Sequence, residues 1–204
     1  MIKKIILIGA GGHAKSCLDI LEEFPDFNIL GFIDNKKKEN CSSYKVLGDD
    51  TFLTEVRTDC DYAFITVGQI QSSEIRRRLY QQLKTLKFSI PSFVSKSSIF
   101  SSNATIGDGS IAMHGSIINS EASIGINCIL NSKSLIEHEV SLGDFCHIST
   151  GAIVNGGCII GNDTFVGSGS IIREGIKIGD KCIIGANTFV NSDLQNGTKF
   201  IGSK

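Results

Sequence analysis

Proline is nearly absent, two residues in 204, against 22 glycines. That excludes proline-rich spacers and puts the glycines at tight corners rather than in disordered linkers. An excess of charge is missing too. A net charge of −1 provides no basic surface for nucleic acid and no attraction to a membrane. No apolar run reaches the ~18 residues of a spanning helix. The opening MIKKIILIGAGG places two lysines before an apolar stretch, as a signal peptide does, but the stretch is short and runs into a glycine-rich loop. A cytoplasmic location is expected. Seven cysteines make an odd number, awkward for a disulfide framework and natural for a reducing compartment, where cysteine is a small apolar residue.

What is present is a repeat. From Ile106 to Val190 every sixth residue is aliphatic: Ile106, Ala112, Ile118, Ile124, Leu130 and onward, fifteen positions with alanine as the one small member. The residue that follows is often glycine (Gly107, Gly125, Gly143, Gly161, Gly167, Gly179, Gly185) or asparagine (Asn119, Asn131, Asn155, Asn191), types that accept positive φ. Four residues after each aliphatic sits a mostly small side chain, including Cys128, Cys146, Cys158 and Cys182. A short strand points alternate side chains inward, one large and one small, and a corner follows. Three such sides close a triangular coil of eighteen residues. The repeat predicts about five coils stacked ~4.8 Å apart, with those four cysteines in the core. An antiparallel sandwich also alternates, but it gives no reason for a strict period of six. Val140 and Ile176 occupy small positions and are expected to bulge the coil.

The first 90 residues read differently. KKIILIG, NILGFID and DYAFITVG are strands, Lys15 to Phe24 is helical, and SSEIRRRLYQQLKTL is a second helix with Ser72 or Ser73 as its cap. Strand–helix alternation predicts a parallel, Rossmann-like sheet. The fold class expected is thus an α/β Rossmann-like N-terminal domain, residues 1–90, followed by an all-β left-handed parallel β-helix, residues 91–204. Gly9, Gly11 and Ala14 spell G-x-G-x-x-A between a strand and a helix. Such a loop lets a phosphate approach the backbone at a helix N-terminus. Asp34, ending the second strand, can meet a ribose hydroxyl. NAD is one alternative, but this domain holds only half of a dinucleotide fold, so a nucleotide-linked ligand fits better. A bare tight turn is another. His13, within the loop, can contact a phosphate or sugar hydroxyl or cap the helix.

Three of the four histidines lie in the repeat. His138 falls at a corner and His147 one residue before an inward position, so both are expected to point outward. Glu137 and Glu139 flank His138; a carboxylate against the ring fixes its tautomer and raises its basicity, which suits a general base. Nine residues, half a coil, separate His138 from His147, so in one chain they face different sides and can meet only across a subunit boundary. No histidine pair five apart is present, the spacing of zinc-binding relatives of this fold class, and no metal is expected.

GAGGHAKSCLDIL, GFIDN, VGQIQSSEIRRRLYQQL and SLIEHEVSLGDFCHISTGAIVNGG resemble the sugar acetyltransferases of the sialic-acid O-acetyltransferase and bacillosamine N-acetyltransferase type across essentially the whole chain. The resemblance implies acetyl-CoA as cosubstrate and a homotrimer with acetyl-CoA between subunits. It implies His138 as general base with Glu139 as its supporting carboxylate. Asn131 and His147 would line the acetyl-CoA and acceptor site, the Gly156 amide would face the thioester carbonyl, and Gly167 and Ala186 would lie along the pantetheine arm. Gly9, Gly11, Gly12, His13, Asp34 and Gly68 would hold the nucleotide of a nucleotide-linked sugar. Asn35 stands there too, where relatives often carry a second acid. The implied function is N-acetylation of a nucleotide-linked 4-amino-4,6-dideoxy sugar, a UDP-sugar foremost; O-acetylation of sialic acid or a related sugar is the alternative, and a non-catalytic β-helix binding module a third. The chain ends FIGSK, where many relatives read G-x-P-A-K.

Overall fold

The computed structural model describes residues 2–36 and 39–201. It divides into two compact units, Met1–Gly68 with Glu74–Pro91, and Gln69–Ser73 with Ser92–Lys204.

The first unit is a four-stranded parallel sheet in the order β3-β2-β1-β4. The strands are β1 (Lys3–Ile8), β2 (Phe27–Ile33), β3 (Val46–Gly48) and β4 (Tyr62–Ile65). Ile5 to Ile8 are all buried, as a central strand covered on both faces requires. Helices α1 (Gly12–Leu21) and α3 (Glu74–Thr85) lie where helices were expected, and a short α2 (Leu53–Val56) follows a 3₁₀ turn at Asp50–Phe52. The sequence between 35 and 61 carries no periodic pattern, so β3, the turn and α2 were not foreseen. Helix α1 starts at Gly12, three residues before the expected Lys15, with Gly11 as an N-cap that supplies no side chain. His13 therefore sits in the first turn of the helix and not in a loop ahead of it.

The second unit is the left-handed parallel β-helix. Its two-residue strands form three parallel sheets of five, seven and six strands. Registers step by eighteen, as in Ile106↔Ile124 and Ile124↔Leu142. Every large inward position from Ala112 to Val190 is buried in one cluster with Cys128, Cys146, Cys158 and Cys182. Each such aliphatic contributes about 1.5–3 kcal/mol of burial. The small inward residues also bond. Ser110 Oγ, Cys128 Sγ, Cys146 Sγ and Thr164 Oγ1 donate to the carbonyls of Gly125, Gly143, Gly161 and Gly179, one coil on, at 2.8, 3.1, 3.0 and 2.9 Å. Val140 and Ile176 are buried, and the ladder beside Val140 is unbroken, with Ser123 N donating to its carbonyl at 2.8 Å. The expected bulge is absent because both stack in one column with Ala122, Cys158 and Leu194, where the core can vary in width.

The corners differ from the expectation in one respect. Positive φ does not fall on the residue after the aliphatic but two residues later, at Gly109 (72°), Gly115 (67°), Lys133 (59°), Glu139 (60°) and Phe145 (56°). The Gly107 carbonyl accepts from Ser110 N, so this is a type II turn with its left-handed residue at the third position. The eighteen-residue spacing of Gly107, Gly125, Gly143, Gly161 and Gly179 has a different cause. Coils stack so closely there that a Cβ on Gly125 would stand 2.6 Å from the Gly143 carbonyl. Beside them runs a side-chain ladder, with Asp144 Oδ1 accepting from Ile126 N and Asn162 Oδ1 from Asp144 N at 2.9 and 2.8 Å.

The three outer faces are unlike. The six-stranded sheet presents Ile99, Ile117, Leu135, Ile153, Ile171 and Phe189 along its full length. Ile99 and Phe189 are 62% and 58% exposed. The five-stranded sheet presents Thr105, Ser123, Ser141, Ile159 and Lys177. The last strand, Lys199–Phe200, pairs with Ile183–Ile184; Gly202 to Lys204 of the divergent C-terminus lie outside the described residues.

Candidate active site

His138 stands at the corner between the strands Leu135–Ile136 and Ser141–Leu142 and is exposed. Its Nδ1 is 3.0 Å from Glu139 Oε2. A carboxylate only accepts, so Nδ1 carries a proton, and in the neutral ring the lone pair is then on Nε2. Glu139 occupies the left-handed position of the turn, and this conformation brings its side chain back to the ring. One coil on, Gly156 lies against the imidazole: a Cβ there would stand 2.6 Å from Cε1 and 2.7 Å from Nε2. The Gly156 amide makes no hydrogen bond among the described residues, while its carbonyl accepts from Gly175 N. Glu137, His138, Glu139, Asn155, Gly156 and Glu174 line an open cavity of about 660 Å³. The His138 ring and Gly156, whose amide is unused, thus line one space. Such a pair can take a proton from a nucleophile and steady the charge that forms on a carbonyl oxygen. Glu174, eighteen residues and so one coil beyond Gly156, is a lining residue that the resemblance did not single out; stepping one coil on from Gly156 finds it.

His147 lies in a strand of a different sheet from the one before His138, as the half-coil spacing required. It alternates with the inward Ile148 and so points away from the coil axis, as expected, and it is nevertheless buried. The segment 69–73 covers it. His147 Nδ1 donates to the Gln69 carbonyl at 2.5 Å, and Gln69 Nε2 donates to the Phe145 carbonyl at 2.7 Å. The ring meets Phe165 edge-on at 5.2 Å. With Nδ1 protonated, Nε2 accepts, and Asn131 Nδ2 stands 3.3 Å from it while Asn131 Oδ1 accepts from Ser132 N at 2.8 Å. Asn131 and His147 are thus brought together, and His138 is apart from both within one chain. Ser73, a candidate helix cap, instead gives its hydroxyl to Asp163 Oδ1 at 2.5 Å. Gly167 N is committed to the Ile184 carbonyl at 2.9 Å. Gly167 stacks on Ala186, where a Cβ would stand 2.5 Å from Ala186 N. Ala186 itself is exposed.

The glycine loop forms a second candidate site, in the first unit. Gly9 has φ 101° and no space for a side chain, its Cβ position falling 2.5 Å from Val67 Cγ2. At Gly11 and Gly12 a Cβ would meet nothing within 4 Å. Packing therefore does not demand glycine there, and the open side is free for a ligand to approach the first turn of α1. Asp34 ties the loop down, Oδ2 accepting from Ala10 N and Oδ1 from Lys36 N, each at 2.8 Å. Gly68 faces His13, whose Cβ would stand 3.3 Å from an added one. His13 Nε2 is 3.3 Å from Cys17 Sγ. Burial pushes the Cys17 thiol up to about 12, with Arg76 opposing. The thiol stays protonated and can donate to Nε2 of His13. Arg76, buried on α3, holds the exit of β4 through the Val67 carbonyl at 2.6 Å. Asn35, expected at the ligand, spends both polar atoms on Asp50: Nδ2 donates to Oδ2 at 2.9 Å and Oδ1 accepts from Asp50 N at 3.0 Å.

Comparison with known proteins bears on both units. The PglD N-terminal domain family matches residues 4–83, and the bacterial transferase hexapeptide family (six repeats) matches residues 157–192. No curated protein sequence matches significantly. Among solved structures, PerB from Caulobacter crescentus in complex with CoA and GDP-perosamine is 27% identical with a TM-score of 0.90, over 96% of this chain and 92% of that one. A histidine-to-asparagine mutant of perosamine N-acetyltransferase from Caulobacter crescentus, in complex with CoA and GDP-perosamine, is 26% identical with a TM-score of 0.91 over 96% and 92%. The acetyltransferase domain of PglB from Neisseria gonorrhoeae, in complex with acetyl coenzyme A, is 25% identical with a TM-score of 0.90 over 97% and 95%.

Proposed function

For a chain that is a hexapeptide-repeat acyltransferase with a PglD-type N-terminal domain, we propose N-acetylation of a nucleotide-linked 4-amino-4,6-dideoxy sugar, foremost a UDP-sugar, with acetyl-CoA as donor. Residues 1–90 take the nucleotide sugar and residues 91–204 take acetyl-CoA. The observation that carries the reading is the His138–Gly156 pair, an imidazole held through Nδ1 by Glu139 and set against a glycine with an unused amide in one cavity.

The reaction follows from those atoms. The sugar amine attacks the thioester carbonyl carbon as a neutral nucleophile. His138 Nε2 removes its proton, and Glu139 steadies the imidazolium that results. The Gly156 amide donates to the carbonyl oxygen as charge builds there. The carbon–sulfur bond breaks, and the proton held by His138 passes to the departing thiolate directly or through water. No acyl-cysteine is needed; Cys128, Cys146, Cys158 and Cys182 all point into the core. Asn131, with its amide oriented by His147 and Ser132, lines the donor and acceptor site, and Gly167 and Ala186 flank the pantetheine arm. In the first unit Gly9, Gly11, Gly12, His13, Asp34 and Gly68 hold the diphosphate and ribose.

We place the active form as a homotrimer. The apolar stripe from Ile99 to Phe189 on the six-stranded sheet is exposed at Ile99, Ile171 and Phe189 and half-buried between Ile117 and Ile153, and His138 stands at the corner where that sheet ends. Packing copies along the stripe brings a neighbour's residues to His138, which resolves the half-coil separation of His138 and His147. Seven unpaired cysteines suit the cytoplasm.

The test is CoA release from acetyl-CoA with UDP-, GDP- and dTDP-linked 4-amino-4,6-dideoxy sugars and free sialic acid. Turnover of the UDP-amino sugar is expected. Turnover of sialic acid alone would make the enzyme an O-acetyltransferase, and turnover of none would leave a binding module.

A further inference from the structure

The loss of Asn35 to Asp50 changes what the nucleotide site can read. A cavity of about 260 Å³ in the first unit has Asp34, Asn35, Lys36, Asp50 and Arg78 along its polar edge and aliphatic side chains, Ile75 among them, as its walls. Asp50 Oδ2 accepts twice, from Asn35 Nδ2 at 2.9 Å and from Arg78 Nη1 at 3.1 Å. Asp50 Oδ1 and the remaining donors of Arg78 make no bond among the described residues. Asp50 is nevertheless mostly shielded, its side chain 16% exposed. One turn before Arg78 on the same face of α3, Ile75 is 58% exposed, a large aliphatic at the mouth of the cavity. Apolar walls with a few polar groups at one edge are what orients a small ring system in a pocket.

We propose that Asp50 and Arg78 are the base-reading pair of this site, that they select a base carrying an N–H beside a carbonyl, and that Asn35 only positions Asp50. The inference rests on the reading of this unit as the nucleotide-binding one. Asp50 Oδ1 is an anionic acceptor, and the guanidinium beside it offers charged donors. Their complement is a donor next to a carbonyl oxygen. Uracil and thymine present that pair at N3–H and O4, and guanine at N1–H and O6. Adenine has no carbonyl, and in cytosine the carbonyl adjoins a ring nitrogen without hydrogen. Asn35 holds Asp50 at two points, the backbone amide and Oδ2, and Arg78 holds Oδ2 as well, which leaves Oδ1 as the carboxylate oxygen open to a ligand.

Calorimetric titration of the full chain with UDP, dTDP, GDP, ADP, CDP and inorganic pyrophosphate tests this, for the wild type, Asp50→Asn and Arg78→Met. Asp50→Asn can keep the bonds at Oδ2 and converts the free acceptor to a donor. The tightest of UDP, dTDP and GDP is expected to bind about tenfold or more tighter than ADP and CDP, a difference of ~1.4 kcal/mol. Both substitutions should shrink that ratio to near one and leave pyrophosphate binding unchanged. Thermal unfolding of each variant shows that it is folded. Tightest binding of ADP or CDP, or a base preference that survives both substitutions in folded protein, would overturn the assignment. Binding of no nucleoside diphosphate at all would instead sink the nucleotide reading of the unit, and this inference with it.

Discussion

The His138 ring lies against Gly156, one coil on, with no room for a methyl group: an added Cβ would stand 2.7 Å from Nε2. Glycine is present there to seat an imidazole, not to permit a backbone angle, since Gly156 has no positive φ. Gly156→Ala should therefore fold normally and push the ring off its site. A fall in kcat of ~10²-fold is expected for that displacement, with circular dichroism unchanged. Wild-type kcat in a folded Gly156→Ala enzyme would contradict the geometry.

His138→Ala should lower kcat by about 10²–10⁴-fold, the range for a lost general base, and keep acetyl-CoA affinity, read by titration with CoA. Glu139→Gln should be milder, since the amide still reaches Nδ1 but no longer balances an imidazolium. Equal losses in both variants would mean that the carboxylate does more than orient the ring.

Cys17 links stability to alkaline pH. Burial holds its thiol at about 12, above the ordinary 9.0. Between those values the unfolded chain releases the Cys17 proton and the folded chain keeps it. The unfolded state then binds fewer protons, so stability falls as pH rises, by up to about 1.4 kcal/mol per unit. Urea unfolding from pH 8 to 10.5 should show a slope in the wild type that is steeper than in Cys17→Ser by about one proton. Identical slopes would place the thiolate in the folded state.

Two kinds of glycine in the β-helix should respond differently to alanine. At Gly161 a Cβ would meet Asp180 Oδ1 at 2.5 Å, and overpacking between coils should cost about 3 kcal/mol or more. Gly151 has φ 65° and open space around it, so only the left-handed backbone penalty of about 1–2 kcal/mol applies. Denaturant midpoints of the two variants give the comparison; a Gly151 variant as damaged as the Gly161 one would refute the separation.

Ile153 lies at the middle of the apolar stripe, paired with Leu135 and Ile171. Ile153→Glu should lower the mass by light scattering from three times 22.0 kDa toward one and remove activity in parallel. An unchanged mass would move the subunit contact to another face.

The strict six-residue period determined most of the second unit: the coil, the inward cysteines and the opposite facing of His138 and His147. These follow locally, because each side of the triangle is one strand whose alternation is fixed by the backbone. The sequence alone also marked the glycine loop and the strands around it. Tertiary structure decided what depends on residues far apart in the chain. Glycines at one corner are set by the coil above them rather than by φ, and stacking is invisible until the coils close. His147 points outward yet is buried, because Gln69, 78 residues away, lies over it. Asn35 pairs through both of its polar atoms with Asp50, fifteen residues on in a turn without a periodic signal. Local pattern fixes the direction of a side chain; only packing across the chain decides which partner it finds there.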